Sequence, residues 1–183
     1  YNIQKGYFDI VFFHASLHHF DKIHDFVAGK IKNSLKSDGL LVINEYVGPT
    51  RLQFPKYQIR KINEALSVIP KDYRARYKSN TLKNKFYGSG IIRMILADPS
   101  ECVDSASILP AIHSNFHTII EKPYGGNILM NVLKDISHHF IDLDSNKNKI
   151  LEKLFAIEDE YISNNRSNFI FGIYQKQSNS DNK

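Results

Sequence analysis

A single cysteine, Cys102, stands among 183 residues, so no internal disulfide forms and no Cys-x-x-Cys metal cluster can be built. A reducing, cytoplasmic setting is the expectation that follows. Long apolar runs are missing too. Ile10-Val11-Phe12-Phe13 and Leu40-Leu41-Val42-Ile43 fall far short of the roughly 18 residues a membrane span needs, and no membrane partner is expected. No basic segment followed by an apolar one opens the chain, so no secretory signal is read there. Internal repeats and low-complexity stretches are absent, apart from polar residues 177–183, read as a frayed tail. The chain opens on Tyr1 rather than Met and reaches a strand-like run within a few residues, as a cut chain would.

What is present is ordinary globular composition: 42% apolar, 23% charged, and 24 Lys and Arg against 19 Asp and Glu. That excludes a collagen-like or wholly disordered chain. The length suggests one domain at about 150 residues per domain, read over 1–176 with a basic insertion at about 71–115.

Phe8-Asp9-Ile10-Val11-Phe12-Phe13 is nearly continuous, β-branched and aromatic, the pattern of a strand buried on both faces of a parallel sheet. Ile23, Phe26, Val27, Ile31 and Leu35 then recur at helical spacing. Asp21 is the expected N-cap, and Ser37-Asp38-Gly39 the expected end. Leu40-Leu41-Val42-Ile43 follows as a second strand, completing a βαβ unit.

Beyond the break at Gly48-Pro49, Ile59, Ile62, Leu66 and Ile69 mark a helix stopped by Pro70, and 71–89 reads as a loop. Short helices are expected at 91–97 and 105–112, and a third strand at 117–121 interrupted by Pro123. Two more stripes, Leu129, Val132, Leu133, Ile136, Phe140 and Ile150, Leu151, Leu154, Phe155, Tyr161, precede a last strand at 169–174. The fold class is α/β: a mostly parallel sheet whose last strand lies antiparallel, with helical insertions.

In an open parallel sheet, ligands sit outside the carboxyl ends of the strands. Two loops stand there: His14-Ala15-Ser16-Leu17-His18-His19 and Asn44-Glu45-Tyr46-Val47-Gly48-Pro49. The first strand with Leu17-His18-His19, then Leu35-Lys36-Ser37-Asp38-Gly39-Leu40-Leu41, resembles the fourth strand, its loop and the fifth strand of class I S-adenosylmethionine-dependent methyltransferases, which share a Rossmann-like sheet. Ser37 and Asp38 replace the usual Pro and Gly. Residues 44–53 and Tyr124-Gly125-Gly126 resemble one bacterial subgroup of that family.

The resemblance implies S-adenosylmethionine as cofactor, with His14, Ala15, Ser16 and, less directly, His19 near its methionine part, and His18 buried as a brace. It implies a small-molecule acceptor met by Tyr46, Arg51 and Tyr124, under a lid built from the basic insertion and the Tyr124-Gly125-Gly126 turn. Glu45 would serve as general base, or else pair locally with Arg51. The family's Gly-rich loop and its acidic ribose partner are missing: no G-x-G precedes Phe8, and Gly88-Ser89-Gly90 comes only after the basic stretch. The chain therefore resembles the carboxyl-terminal half of such an enzyme. It would bind the cofactor weakly or not at all by itself, and would cover the free edge of its first strand by homo-oligomerisation.

Two other readings stand beside this one. The first is a non-catalytic, methyltransferase-like interaction module. The second is RNA binding through 56–85, where nine Lys and Arg face only Glu64 and Asp72 and tyrosines are interleaved. His14, His18 and His19 raise a metal, but adjacent His18 and His19 do not easily face one centre, so no metal site is expected. Cys102 lacks a His–acid partner in sequence and is not read as a nucleophile.

Overall fold

The computed structural model describes residues 3–177, so the tail expected at 177–183 lies outside it except for Gln177. Four strands, β1 (Phe8–His14), β2 (Leu35–Tyr46), β3 (Phe116–Gly125) and β4 (Phe169–Lys176), form one sheet in the order β1-β2-β4-β3. β1 and β2 are parallel neighbours, and β4 pairs antiparallel with β2 from Leu40↔Gln175 to Tyr46↔Phe169. The mixed α/β sheet with an antiparallel last strand is as expected.

The chain forms two compact units. The first takes in residues up to Leu52, Ile91–Tyr124 and Asn168 onward; the second comprises Gln53–Gly90 and Gly125–Ser167. In the first unit β1 and β2 are joined by a helical run: α1 (Ile23–Asp25), a π-helical segment Phe26–Ile31, and α2 (Lys32–Ser34). Its stripe is buried as the spacing requires, Ile23, Val27, Ile31 and Leu35 packing with Leu41, Ile43, Ile170 and Tyr174. The core is completed by α5 (Ile108–His113) through Ile108, Ala111 and Ile112. A further short helix, α4 (Ile91–Ala97), lies where the apolar run predicts it.

Three local expectations are corrected. The helix does not run to Gly39: it ends at Ser34, and β2 begins at Leu35. Ser37-Asp38-Gly39 is instead extra chain inside the strand, since the register jumps from Phe8↔Leu35 to Ile10↔Leu40, which is what a bulge absorbs. Asp21 does not cap the helix. The amide of Ile23 donates to Asp104 Oδ2 at 3.0 Å, a partner 81 residues away that no local pattern reveals. Pro123 does not interrupt the third strand, because β3 lies at the edge of the sheet, where a missing N–H costs no ladder bond.

The opposite edge is β1, and it is not buried on both faces. Phe8, Ile10 and Phe12 are exposed, the last two at 57% and 58%, while Val11 and Phe13 pack on the core. A groove of about 310 Å³ lined by Ile3, Phe8, Ile10 and Phe26 runs along this edge.

The second unit is helical: α3 (Lys56–Val68), α6 (Leu129–Leu133) and α7 (Ser145–Asn164). Its core joins Ile62, Ala65, Leu66 and Ile69 to Ile128, Val132, Ile136, Ile150, Leu154 and Tyr161. The stripe expected to make one helix of 129–140 is cut after α6, where Asp135 takes φ +68. There its carboxylate binds Arg76 at 2.6 Å and its carbonyl accepts the Tyr77 amide. Asp144 is a true N-cap of α7, accepting from the amides of Asn146 and Lys147 at 2.8 Å. No helix among the described residues is long and apolar enough to cross a membrane.

Candidate functional site

Glu45 sits at the carboxyl end of β2 and is 1% exposed. A buried carboxylate without partners would be very costly, and the loop after β1 supplies them. Glu45 Oε1 accepts from the amides of Ser16 at 2.6 Å and Leu17 at 2.8 Å, and Oε2 lies 2.8 Å from His18 Nδ1. Ala15 turns the chain through φ +47 to bring these groups round, its amide held by the Asn44 carbonyl at 2.9 Å. Burial alone would raise the Glu45 pKa, but the His18 ring and the two amides overcome it and hold the carboxyl below its ordinary value. Burial likewise depresses the His18 imidazole, yet Glu45, with help from Glu101 and Asp98, leaves it raised.

Ser16, Leu17 and His18 of the loop after β1 therefore meet at Glu45. Ser16 meets Glu45 through its backbone, and His18 is buried against the carboxylate. Both Glu45 oxygens are engaged inside the loop, so in this geometry the side chain positions the loop rather than facing a substrate. Arg51 clamps residues 98–102: its amide donates to the Cys102 carbonyl at 2.7 Å and its Nη1 to the Glu101 carbonyl at 3.3 Å. Tyr46 is buried, its hydroxyl donating to the Pro49 carbonyl at 3.2 Å, and burial drives its pKa far upward.

The exposed polar groups at this end of the sheet meet on Asn44, which the sequence marks only as the first residue of its loop. Its Nδ2 lies 3.0 Å from His14 Nδ1, and its Oδ1 accepts from the Tyr124 hydroxyl at 2.6 Å. The Tyr124 ring stacks on Phe169, centroids 5.8 Å apart. Asn44 is one step before Glu45 on β2, and alternation along the strand puts it on the other face, which is the signal that would have found it. His14, Asn44 and Tyr124 thus form a chain of donors and acceptors open to solvent.

A second cluster lies against the buried face of the loop. Glu101 Oε2 stands 4.0 Å from His18 Nε2 and 3.7 Å from His19 Nε2, and Cys102 Sγ donates to Glu101 Oε1 at 3.2 Å. Cys102 is buried, and that burial pushes its thiol well above the ordinary range.

Part of the basic stretch holds the second unit together, while Lys56, Arg60, Lys71, Lys78 and Lys85 are exposed. Lys83, 2% exposed, donates to the carbonyls of Asn131 and Lys134. Arg74 Nε binds the Ile69 carbonyl at 2.7 Å, Arg76 pairs with Asp135 and Lys61 with Glu64. In the same unit Glu158 is 3% exposed and accepts the amides of Asn127, Ile128 and Leu129 at 2.7–2.8 Å. Gly125, at φ +91, passes so close that a Cβ there would lie 2.9 Å from Glu158 Oε1. The Gly125-Gly126 turn is thereby explained by close approach as well as by backbone conformation.

No family model and no curated protein matches the chain. Among solved structures, it is similar to the [4+2]-cyclase SpnF, at 10% identity and TM-score 0.40 over 94% of this chain and 52% of that one. It is also similar to phosphoethanolamine N-methyltransferase 2 of Haemonchus contortus in complex with S-adenosyl-L-methionine, at 15% identity and TM-score 0.40 over 97% and 35%. The chain thus spans about half of the first structure and a third of the second. At these values neither likeness extends to activity.

Proposed function

We propose that the first unit supplies the acceptor-side wall of an S-adenosylmethionine-dependent methyltransferase acting on a small molecule. The observation that carries this reading is the Glu45 lock, which fixes the loop 14–19 across the carboxyl ends of two parallel strands, where such sheets bind ligands. Methyl transfer from a sulfonium is an in-line displacement, so orientation is the main task of the protein. His14, Asn44 and Tyr124 present the exposed polar atoms for that task. Glu45 acts as a positioning residue, with Ser16 and Ala15 shaping the loop by their backbone; His19, Tyr46 and Arg51 support it from behind.

The described residues fit the cofactor on one side only. The Ser16 and Leu17 amides are already taken by Glu45, and the described residues ahead of β1 hold no glycine-rich loop. The isolated chain should therefore bind S-adenosylmethionine weakly. In a backbone-amide NMR titration to millimolar cofactor, small saturable shifts should appear at 14–19 and 44–46. Tight stoichiometric binding, or no shift at those amides, would overturn the reading.

The β1 edge supports a second reading, assembly. An edge strand laid on its own copy about a two-fold axis pairs antiparallel with itself and buries Ile10 and Phe12 twice. Ile10→Lys should shift the chain to monomer in sedimentation; an unchanged profile would rule this pairing out. Binding of RNA through 56–85 is disfavoured by the internal partners of Arg74, Arg76 and Lys83. Steeply salt-dependent RNA retention would restore it.

A further inference from the structure

His18 and His19 are each held at one ring nitrogen by a polar group, and the identity of that group fixes where the other nitrogen presents its lone pair. Glu45 Oε2 can only accept, so His18 Nδ1 carries the hydrogen of their 2.8 Å bond. The Ser100 hydroxyl spends its hydrogen on Asp98 Oδ1 at 2.7 Å. Ser100 Oγ is then an acceptor at 3.0 Å from His19 Nδ1, and that nitrogen also carries a hydrogen. Wherever such a ring is neutral its lone pair therefore sits at Nε2, and both Nε2 atoms face Glu101 Oε2, at 4.0 and 3.7 Å. Lone pairs turned on a carboxylate repel unless a proton or a cation lies between them.

The surroundings are those of a metal ligand set. A histidine that donates its second N–H to a carboxylate, as His18 does to Glu45, is the usual outer-shell arrangement behind a bound metal. Two sets of donor atoms within 4.8 Å of one another share Glu101: His18 with Cys102, and His19 with Asp98. The first is the better site. It is buried at His18 and Cys102 and combines nitrogen, oxygen and sulfur, and Glu101 Oε2 would have only its 3.7 Å approach to His19 Nε2 to give up. The backbone holds it in shape: the Val103 amide donates to the His18 carbonyl at 3.2 Å, the Arg51 amide to the Cys102 carbonyl at 2.7 Å, and Cys102 sits at φ +49. Tetrahedral ligands at about 2.1 Å from a zinc ion lie roughly 3.4 Å apart, so the present 4.0 Å between His18 Nε2 and Glu101 Oε2 needs only a side-chain adjustment.

We propose that His18 Nε2, Glu101 Oε2 and Cys102 Sγ form a binding site for one divalent zinc-type cation, with Glu45 orienting His18 from behind. Nitrogen, carboxylate and thiolate together suit zinc and disfavour magnesium or calcium. As the sulfur–metal bond forms, the thiol proton leaves to solvent. Three protein ligands leave the fourth position to water or a small ligand. The site is independent of methyl transfer, and its test does not use it.

The probe is Co²⁺, titrated into the chelator-treated full chain and then displaced by Zn²⁺. One Co²⁺ per chain at micromolar concentration is expected, with a thiolate-to-cobalt charge-transfer band in the near ultraviolet. Cys102→Ser should abolish that band while leaving weaker binding. Glu101→Gln, at a half-exposed position that tolerates change, should weaken binding at least tenfold. Glu45→Gln should weaken it by about 10-fold or more by releasing the His18 tautomer, with the fold confirmed by circular dichroism. Absence of stoichiometric binding in the unmodified chain would overturn the proposal and leave a plain imidazolium–carboxylate pair. Binding without a sulfur band, lost in His19→Gln and kept in Cys102→Ser, would overturn it in favour of the His19, Asp98 and Glu101 set.

Discussion

Glu45 in the first unit and Glu158 in the second are both buried carboxylates that gather the backbone amides of a turn, yet their remaining partners differ. Glu158 takes three amides, those of Asn127, Ile128 and Leu129, at the start of the five-residue helix α6. At the other end of that helix the Lys83 ammonium donates to the carbonyls of Asn131 and Lys134. A helix this short has no intrahelical partners for most of its end groups, so a negative charge at its amino end and a positive one at its carboxyl end satisfy both termini and match its dipole. That arrangement is closed. Glu45 takes two amides and an imidazole, and the far nitrogen of that imidazole faces Glu101. The same device therefore finishes a fold in one unit and transmits orientation to a polar cluster in the other.

The largest test of the contrast is Glu158→Ala. Three buried amides would lose their acceptor together, and the chain should lose about 3 kcal/mol or more in urea denaturation. A loss below about 1 kcal/mol would mean that water replaces the carboxylate readily, and the closed description would fail.

The next effect is smaller and more selective. Glu45→Gln keeps an acceptor for the Ser16 and Leu17 amides but cannot accept at both positions, so about 1–2 kcal/mol should be lost. A double-mutant cycle with His18→Gln should return a coupling of about 1 kcal/mol. Zero coupling would show that the imidazole contributes nothing beyond the two amides, and Glu45 would then be no different in kind from Glu158.

How much of this was legible in the sequence follows from contact range. The strands at 8–13, 40–43 and 169–174 announce themselves as short apolar runs, and the helical stripes place the cores, because period and composition are local properties. The site was legible as two loops at the carboxyl ends of β1 and β2, but the tasks within it were not. Glu45 reads as a base until the Ser16 and Leu17 amides, 29 and 28 residues away, are seen to occupy it. Glu101 and Cys102 meet His18 only through folding across some eighty residues. Glu158 did carry a signal: it stands four residues after Leu154 on the apolar stripe of α7, where a charge has no reason to be unless something buried needs it. Lys83 carried none, being one of nine cations in a run that looks uniformly solvated.

That lysine gives the finest test, because it asks whether the second unit's positive cap behaves as a buried charge. Burial lowers its pKa to about 8 from an ordinary 10.5, partly opposed by the Asp135 carboxylate. Between those two values the unfolded chain holds a proton that the folded chain has already released, so stability should rise with pH across that window. Below pH 8 the burial of the charged form is fully felt. Lys83→Met removes both the charge and the two carbonyl bonds, so its stability near neutral pH should lie within about 1 kcal/mol of the parent. The informative quantity is the difference between the two chains as pH climbs, since tyrosines and other lysines titrate in both and cancel. The parent should gain on Lys83→Met from pH 8 upward as its proton is lost. Parallel curves would mean that Lys83 keeps an ordinary pKa, held charged by the Asn131 and Lys134 carbonyls as firmly as water would hold it.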